Sequence, residues 1–187
     1  MAALLLLPVG CSKKAEPPAD PAAETEKAPR QVIDGFSLRS TSTKGLLWIL
    51  DAKRAVSPGL GQATRLDSMV VRFYDGEALP RSVLTSRHGE VDEKTNSLVA
   101  RDSVVVSTPR GERLETEILR WDPKQERMTT DAFFRLTRGG DVMTGIGIEA
   151  EPGLERYKVY HEVHAEVRDQ NDATLREGID GSGTPKH

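Results

Sequence analysis

The pair His161-x-x-His164, with Glu162 and Glu166 beside it, is where chemistry can first be sought, because imidazole and carboxylate together make metal sites. Spacing argues against one. Residues three apart share a face on a helix but point to opposite faces on a strand. The surrounding "RYKVYHEVHAEV" alternates as a strand, grouping Tyr157, Val159, Val163, Ala165 and Val167. Chelation by this pair alone is disfavoured, and no metal is expected. The glycine pairs Gly145-x-Gly147 and Gly59-x-Gly61 lack the third glycine of a dinucleotide loop, and neither opens a helix. No Gly-x-Ser-x-Gly elbow and no Gly-Lys-Ser/Thr phosphate loop occurs. The chain holds 29 Asp plus Glu, so some carboxylates will lie close together, but at alternating strand positions they normally form a solvated face. No catalytic residue and no cofactor is expected, and the chain reads as non-enzymatic.

Composition narrows the partners. With 29% charged residues and a formal net charge of -3, bulk basic attraction to nucleic acid is excluded. Aromatics at 5% leave little for base stacking. The single cysteine, Cys11, excludes an internal disulfide and a cysteine-based zinc site. What remains is apolar surface arranged with a period of two.

That period begins near Val32. Leu46, Trp48, Leu50 and Ala52 share a face, as do Met69, Val71 and Phe73 with Arg72 opposite. Leu98, Ala100, Val104 and Val106 alternate with Val99, Arg101, Ser103 and Val105. Leu114, Thr116 and Ile118 alternate with Glu115 and Glu117, after which the apolar side moves to Leu119 and Trp121, predicting a bulge. Met128, Thr130, Ala132, Phe134 and Leu136 form one face, and Val142, Thr144, Ile146 and Ile148 another. These are half-buried antiparallel strands. Turns are expected at Asp75-Gly76, Arg87-His88-Gly89, Pro109-Arg110-Gly111, Asp122-Pro123 and Arg138-Gly139-Gly140-Asp141. "DAKRAVSPG" offers at most one helical turn before Pro58. A loose repeat of about 30 residues relates Leu84, Leu114 and Met143, and also Leu98 and Met128. It is read as three strands per unit in an open β-roll. The fold class expected is all-β: a single twisted, open antiparallel β-jellyroll preceded by a disordered tether.

Four segments follow. Residues 1–11 read as a signal or lipobox segment. Ala2 to Val9 is far too short to cross a bilayer, but it suits a secretory core ending in Gly10-Cys11, which resembles a bacterial lipobox with Cys11 as lipid anchor. It departs from that box in having no Lys or Arg before the apolar run, and Pro8 where Leu is usual. Residues 12–31, rich in Pro, Ala, Glu and Lys, form a linker that cannot bury enough surface to order itself. About 20 flexible residues span roughly 25 Å, enough to lift a domain off a membrane. Residues 32–170 form the β-jellyroll domain and 171–187 a flexible tail. The apolar face of such a sheet must be covered by itself, by a second sheet or by a ligand. An acyl chain suits it, each buried methylene contributing about 0.8 kcal/mol. A dry self-packed core suits it equally, and sequence leaves both open.

Several stretches together resemble the LptC family, the periplasmic component of lipopolysaccharide export: "TSTKGLLWILDAKRA", "VVRFYDG", "LTSRHGEVDEKTNSLVARDSVVVSTPRGERLETEILRWDPKQERMTTD" and "MTGIGIEAEPGLERYKV". The paired patterns L-x-T-x-x-L-x-W-D and G-x-G-x-x-x-x-P-x-L are the most specific parts. The resemblance implies a non-enzymatic carrier that accepts lipopolysaccharide from an inner-membrane ABC transporter. It then hands the lipid to a periplasmic bridge protein of the LptA type, joined by edge-strand pairing. It implies a place on the periplasmic side of the inner membrane of a Gram-negative bacterium, here lipid-anchored. The usual member has an N-terminal transmembrane helix, which the lipobox-like segment replaces. The inward, lipid-binding candidates carried over are Trp48, Leu50, Val71, Phe73, Leu84, Val104, Val106, Leu114, Ile118, Met128, Phe134, Met143 and Ile146. Gly145 and Gly147 match the family's glycines, where a side chain would hinder close strand approach. The alternative is a structural or interaction β-roll lipoprotein of the envelope.

Overall fold

The structure, a computed structural model, describes residues 31–166 except Lys44, Leu60, Glu77 and Ala78. Cys11, the expected lipobox, the linker up to residue 30 and the expected tail lie outside the described residues. Nine strands follow one another: β1 (Gln31–Ser42), β2 (Gly45–Ser57), β3 (Thr64–Phe73), β4 (Ser82–Asp92), β5 (Ser97–Ser107), β6 (Arg113–Asp122), β7 (Arg127–Arg138), β8 (Asp141–Ala150) and β9 (Tyr157–Glu166). Each pairs antiparallel with the next in a single sheet whose order is the chain order. β1 and β9 have one neighbour each, so the sheet is open. No helix occurs among the described residues, and "DAKRAVS" belongs to β2. The expected all-β, open antiparallel jellyroll is the fold found.

A meander of near-constant hairpins explains the 30-residue repeat, with one correction. The unit holds two strands, not three, because equivalent residues recur on every second strand. Leu84, Val106, Leu114, Leu136 and Met143 are successive register partners across β4 to β8. A second inner row runs Val91, Leu98, Trp121, Met128, Ala150 and Tyr157. The rows lie near opposite ends of the strands, yet the sheet brings those ends together. Phe73 ends β3 and Trp121 lies near the far end of β6, and their rings meet edge to face at 5.0 Å. The sheet is therefore rolled, with one apolar face inside.

The roll is bent along a seam near the middle of the strands. Regular pairing breaks between Thr85 and His88, between Arg101 and Val104, between Thr116 and Arg120, and between Thr130 and Phe133. Left-handed backbone recurs there, at Gly35, Ser68, Asp102, Ser103, Gly147 and Glu162. A bulge adds twist and shifts the alternation by one residue. That shift corrects three sequence expectations. Arg87-His88-Gly89 is no turn: it lies within β4, and Gly89 is buried where a Cβ would sit 2.6 Å from the Met69 sulfur. Ile118 pairs with exposed Arg101, and Ile146 pairs with Phe133, which is 60% exposed. Both therefore face outward, while Leu119 and Ile148 carry the inner face past the seam. In β8 the inner side before the seam is Met143 and Gly145, partners of buried Leu136 and Phe134, rather than Val142 and Thr144. β1 was not legible as a strand, because at this edge only Phe36, Leu38 and Ser40 are even partly buried.

Candidate functional site

Ten of the thirteen inward candidates form the lining. Trp48, Leu50, Val71, Phe73, Leu84, Val104, Val106, Leu114, Met128 and Phe134 are all buried. Met143 is half-buried and packs against them. Ile118 and Ile146 are on the other face, as described. The inward candidates leave out Leu66, Met69, Leu119, Trp121 and Leu154, all buried in the same cluster, although the alternation groups Met69 with Val71 and Phe73 and points to Leu119. Trp121 was visible in the switch after Ile118. Gly145 admits the Phe134 ring: a Cβ there would lie 2.9 Å from the ring and 3.1 Å from the His161 carbonyl oxygen. Gly147 has φ +75° and supplies the seam's backbone in β8.

The lining is not continuous. At the end where Phe73 meets Trp121, a cavity of about 320 Å³ opens, at the low end of the roughly 300–1,000 Å³ of small-ligand pockets. Leu46, Leu47, Phe73, Tyr74 and Trp121 line it, with Arg81, Arg127 and Arg156 and the carboxylates Asp75, Glu126 and Glu151. Three buried polar atoms close to this end have no hydrogen-bond partner among the described residues: the indole nitrogens of Trp48 and Trp121, and the Ser82 hydroxyl. Trp48 and Ser82 flank Phe73 on the two neighbouring strands. Buried donors are nearly always satisfied in a finished core, so three together mark the part of the lining that is least complete by itself.

The β8–β9 connection, residues 151–156, closes the roll beside this cavity. Its middle, Pro152, Gly153 and Leu154, is buried; Leu154 is fully so and adopts φ +57°. The hold on it comes from arginines of other connections. Arg110 donates to the Gly153 carbonyl at 3.1 Å, and Arg138 to the Leu154 carbonyl at 2.5 Å. Glu155 pairs with Arg81 at 2.9 Å and Arg110 at 3.1 Å. Glu151 pairs with Arg127 of β7 at 3.0 Å and, within the segment itself, with Arg156 at 2.7 Å. The hydrogen bond from Arg156, opposed by burial but aided by the charges of Arg156, Arg127 and Arg81, holds the Glu151 carboxyl below its ordinary value. Beneath the segment is Glu112. Burial pushes its carboxyl up, but the Thr108 hydroxyl, its own backbone N–H and Arg110 outweigh that and keep it low.

The outer face is polar and paired: Arg72–Asp51 at 2.5 Å, Arg120–Asp131 at 3.1 Å, and His88 Nδ1–Asp102 at 2.7 Å. Half-exposed pairs of this kind contribute little stability. His161 and His164 are exposed on β9, register partners of Ile146 and Thr144. Among the described residues no three His, Cys, Asp or Glu side chains gather as metal ligands. Both open edges carry exposed apolar residues, Val32 and Ile33 on β1 and Tyr160 and Val163 on β9.

The family model described as "Lipopolysaccharide-assembly, LptC-related" matches residues 1–168, and the chain belongs to that family. No curated protein matches the chain.

Proposed function

We propose that this LptC-family chain is a lipid carrier: it accepts lipopolysaccharide from an inner-membrane ABC transporter, holds the acyl chains against the inner face of the roll, and passes the lipid to a periplasmic β-roll bridge. Membership of the family ties the chain to lipopolysaccharide transport in the Gram-negative envelope, and to transport components rather than enzymes. The cavity lined by Phe73 and Trp121 is the observation that carries the finer reading. An acyl chain entering there would extend the apolar lining, each methylene contributing about 0.8 kcal/mol before ordering costs. Carbonyl or hydroxyl oxygens of an acylated lipid could accept from the unpartnered indole nitrogens, which plain hydrocarbon could not do.

Handover would use the two open edges. Among the described residues, β1 and β9 each present a row of backbone groups with no strand beside it, the template for strand addition. One edge would take the transporter's periplasmic part and the other the bridge. A lipid on Cys11 and the linker to residue 31 would hold the roll at the periplasmic side of the inner membrane. Replacing Cys11→Ala is then expected to move the protein to the soluble fraction.

A second reading, a structural or interaction module of the envelope with a dry core, draws on the burial of the ten lining residues named above. Photoreactive benzoylphenylalanine at Phe134 or Val106 separates the two in cells. Crosslinks to lipopolysaccharide from these inner positions, and none from the outward Ile118, are expected. Folded protein with no lipid crosslink at any inner position would leave the dry module as the answer.

A further inference from the structure

At the mouth of the cavity the arginines already hold anions, and those anions belong to the 151–156 segment. Glu151 lies between Arg127 and Arg156, and Glu155 between Arg81 and Arg110. The segment's tip, Leu154, is buried in the apolar cluster. Apart from that side chain its attachment is ionic or to arginine: within the segment only two backbone hydrogen bonds form, from Glu151 N–H to the Arg156 carbonyl and from Leu154 N–H to the Glu151 carbonyl. The arrangement couples two contacts that an anionic amphiphile would also make, a chain in the cluster and a negative head on the arginines.

We propose that residues 151–156 form a strap in which Glu151 and Glu155 stand in for an anionic head group, so that a phosphorylated amphiphile entering the cavity takes Arg127 and Arg81 from them and releases the strap. The proposal rests on the carrier reading and adds the head-group chemistry and the gate. A phosphate monoester carries up to two charges and three acceptor oxygens, so it can engage two guanidiniums that the strap now satisfies with separate carboxylates. Arg81 also lies 3.5 Å from Asp75, and Arg127 3.6 Å from Glu149. These contacts do not involve the strap and restrain both arginines when it leaves. The left-handed Leu154, a conformation disfavoured for a residue with a side chain, lowers the cost of letting go.

The test is amide hydrogen exchange of the full chain with three probes: dodecyl phosphate, dodecanol and inorganic phosphate. Binding is followed through the intrinsic fluorescence of the unaltered chain, whose two tryptophans are Trp48 and Trp121. Dodecyl phosphate is expected to raise exchange at Glu151 and Leu154 by roughly fivefold or more, the lower end of coupling between sites. Dodecanol should bind more weakly and leave exchange nearly unchanged, and inorganic phosphate alone should do neither. Glu155→Gln should raise strap exchange without ligand and tighten dodecyl phosphate several-fold, since it removes a competitor. A merely structural segment would instead lose thermal stability with no gain in affinity. Dodecyl phosphate that binds with the strap still protected overturns the strap and leaves the carrier reading standing. Indifference of the tryptophan fluorescence to all three probes overturns both.

Discussion

Two connections at the same end of the strands began from one pattern and diverged. Asp122 opens the β6–β7 turn and accepts from the N–H groups of Lys124 and Gln125, at 2.8 and 3.3 Å. Thirty residues earlier Asp92 does the same for Lys94 and Thr95. Both turns close through a left-handed residue, Glu126 and Asn96. The third member of the series, between β8 and β9, has six residues in place of four, no aspartate cap, and an apolar tip turned into the core. The first two connections are closed by local bonds to their own aspartate, and reach outward mainly through Glu93, which accepts from Thr64 at 3.1 Å, and Glu126, which lines the cavity. The third is held by arginines from at least three other connections or strand ends, Arg81, Arg110 and Arg138. A local turn has nowhere to move; a segment held from a distance, by one buried side chain and by arginines of other strands, has an alternative. Breaking the repeat is what sets one connection apart for function.

The largest test of that contrast is Leu154→Ala. A fully buried leucine truncated in a packed cluster costs about 2–5 kcal/mol, or roughly 5–15 °C in Tm for a domain of this size. The matching truncation in the capped turn, Gln125→Ala, should stay within about 0.5 kcal/mol. Thermal unfolding of the two variants reads the difference, and equal effects would remove the distinction between strap and turn.

Acid and salt sharpen the contrast next. The Glu151 carboxyl is held below its ordinary 4.5 first by Arg156, and Asp92 below its ordinary 3.8 by the Lys94 and Thr95 N–H groups. A carboxyl lowered by folding contributes stability above its unfolded value and loses it as pH falls through the folded one. Strap amides should therefore begin to loosen as pH drops below 4.5, and those of the Asp92 turn only below 3.8, after correction for intrinsic exchange rates. At neutral pH and 1 M salt, where screening reaches about 3 Å, the strap should loosen while the Asp92 turn, whose bonds are local, should not. Equal protection of both in high salt would mean that the arginines are not what holds the strap.

The strands were legible wherever one face is buried along an unbroken run, as in Leu98, Ala100, Val104 and Val106. They were illegible at the seam, since a bulge changes the phase without changing the residue types: Ile118 and Ile146 are as apolar as their inward neighbours. Arg87-His88-Gly89 misled for the related reason that a strand bulge and a turn use the same residues. The lining could be drawn from alternation. The cavity could not, because Phe73 and Trp121 belong to strands three apart and meet only when the sheet rolls. The strap's P-x-L was visible as a pattern, yet its arginines come from four stretches of chain that nothing in the sequence links.

A smaller effect is expected from Asp122→Ala. It removes the acceptor for two exposed N–H groups, which water can replace, so a loss near 1 kcal/mol is expected, about 2–4 °C in Tm. The loss should appear as faster exchange centred on the β6–β7 turn, with a smaller change at the strap, which Asp122 reaches only through its register partner Arg127.

The smallest effect runs the other way. Glu126 sits at φ +52° where its counterpart in the preceding turn, at φ +57°, is Asn96. Asparagine tolerates the left-handed region because its short side chain can hydrogen-bond locally, whereas glutamate meets the ordinary steric penalty. Glu126→Asn makes the second turn read like the first, and a gain of a few tenths of a kcal/mol is expected. Glu126 also lines the cavity, so the same substitution removes one negative charge from the rim that a phosphate head would approach. Denaturant midpoint and dodecyl phosphate affinity should rise together. A midpoint that rises while affinity stays fixed would mean that the rim's charge does not reach the head group, and the turn would then be a turn and nothing more.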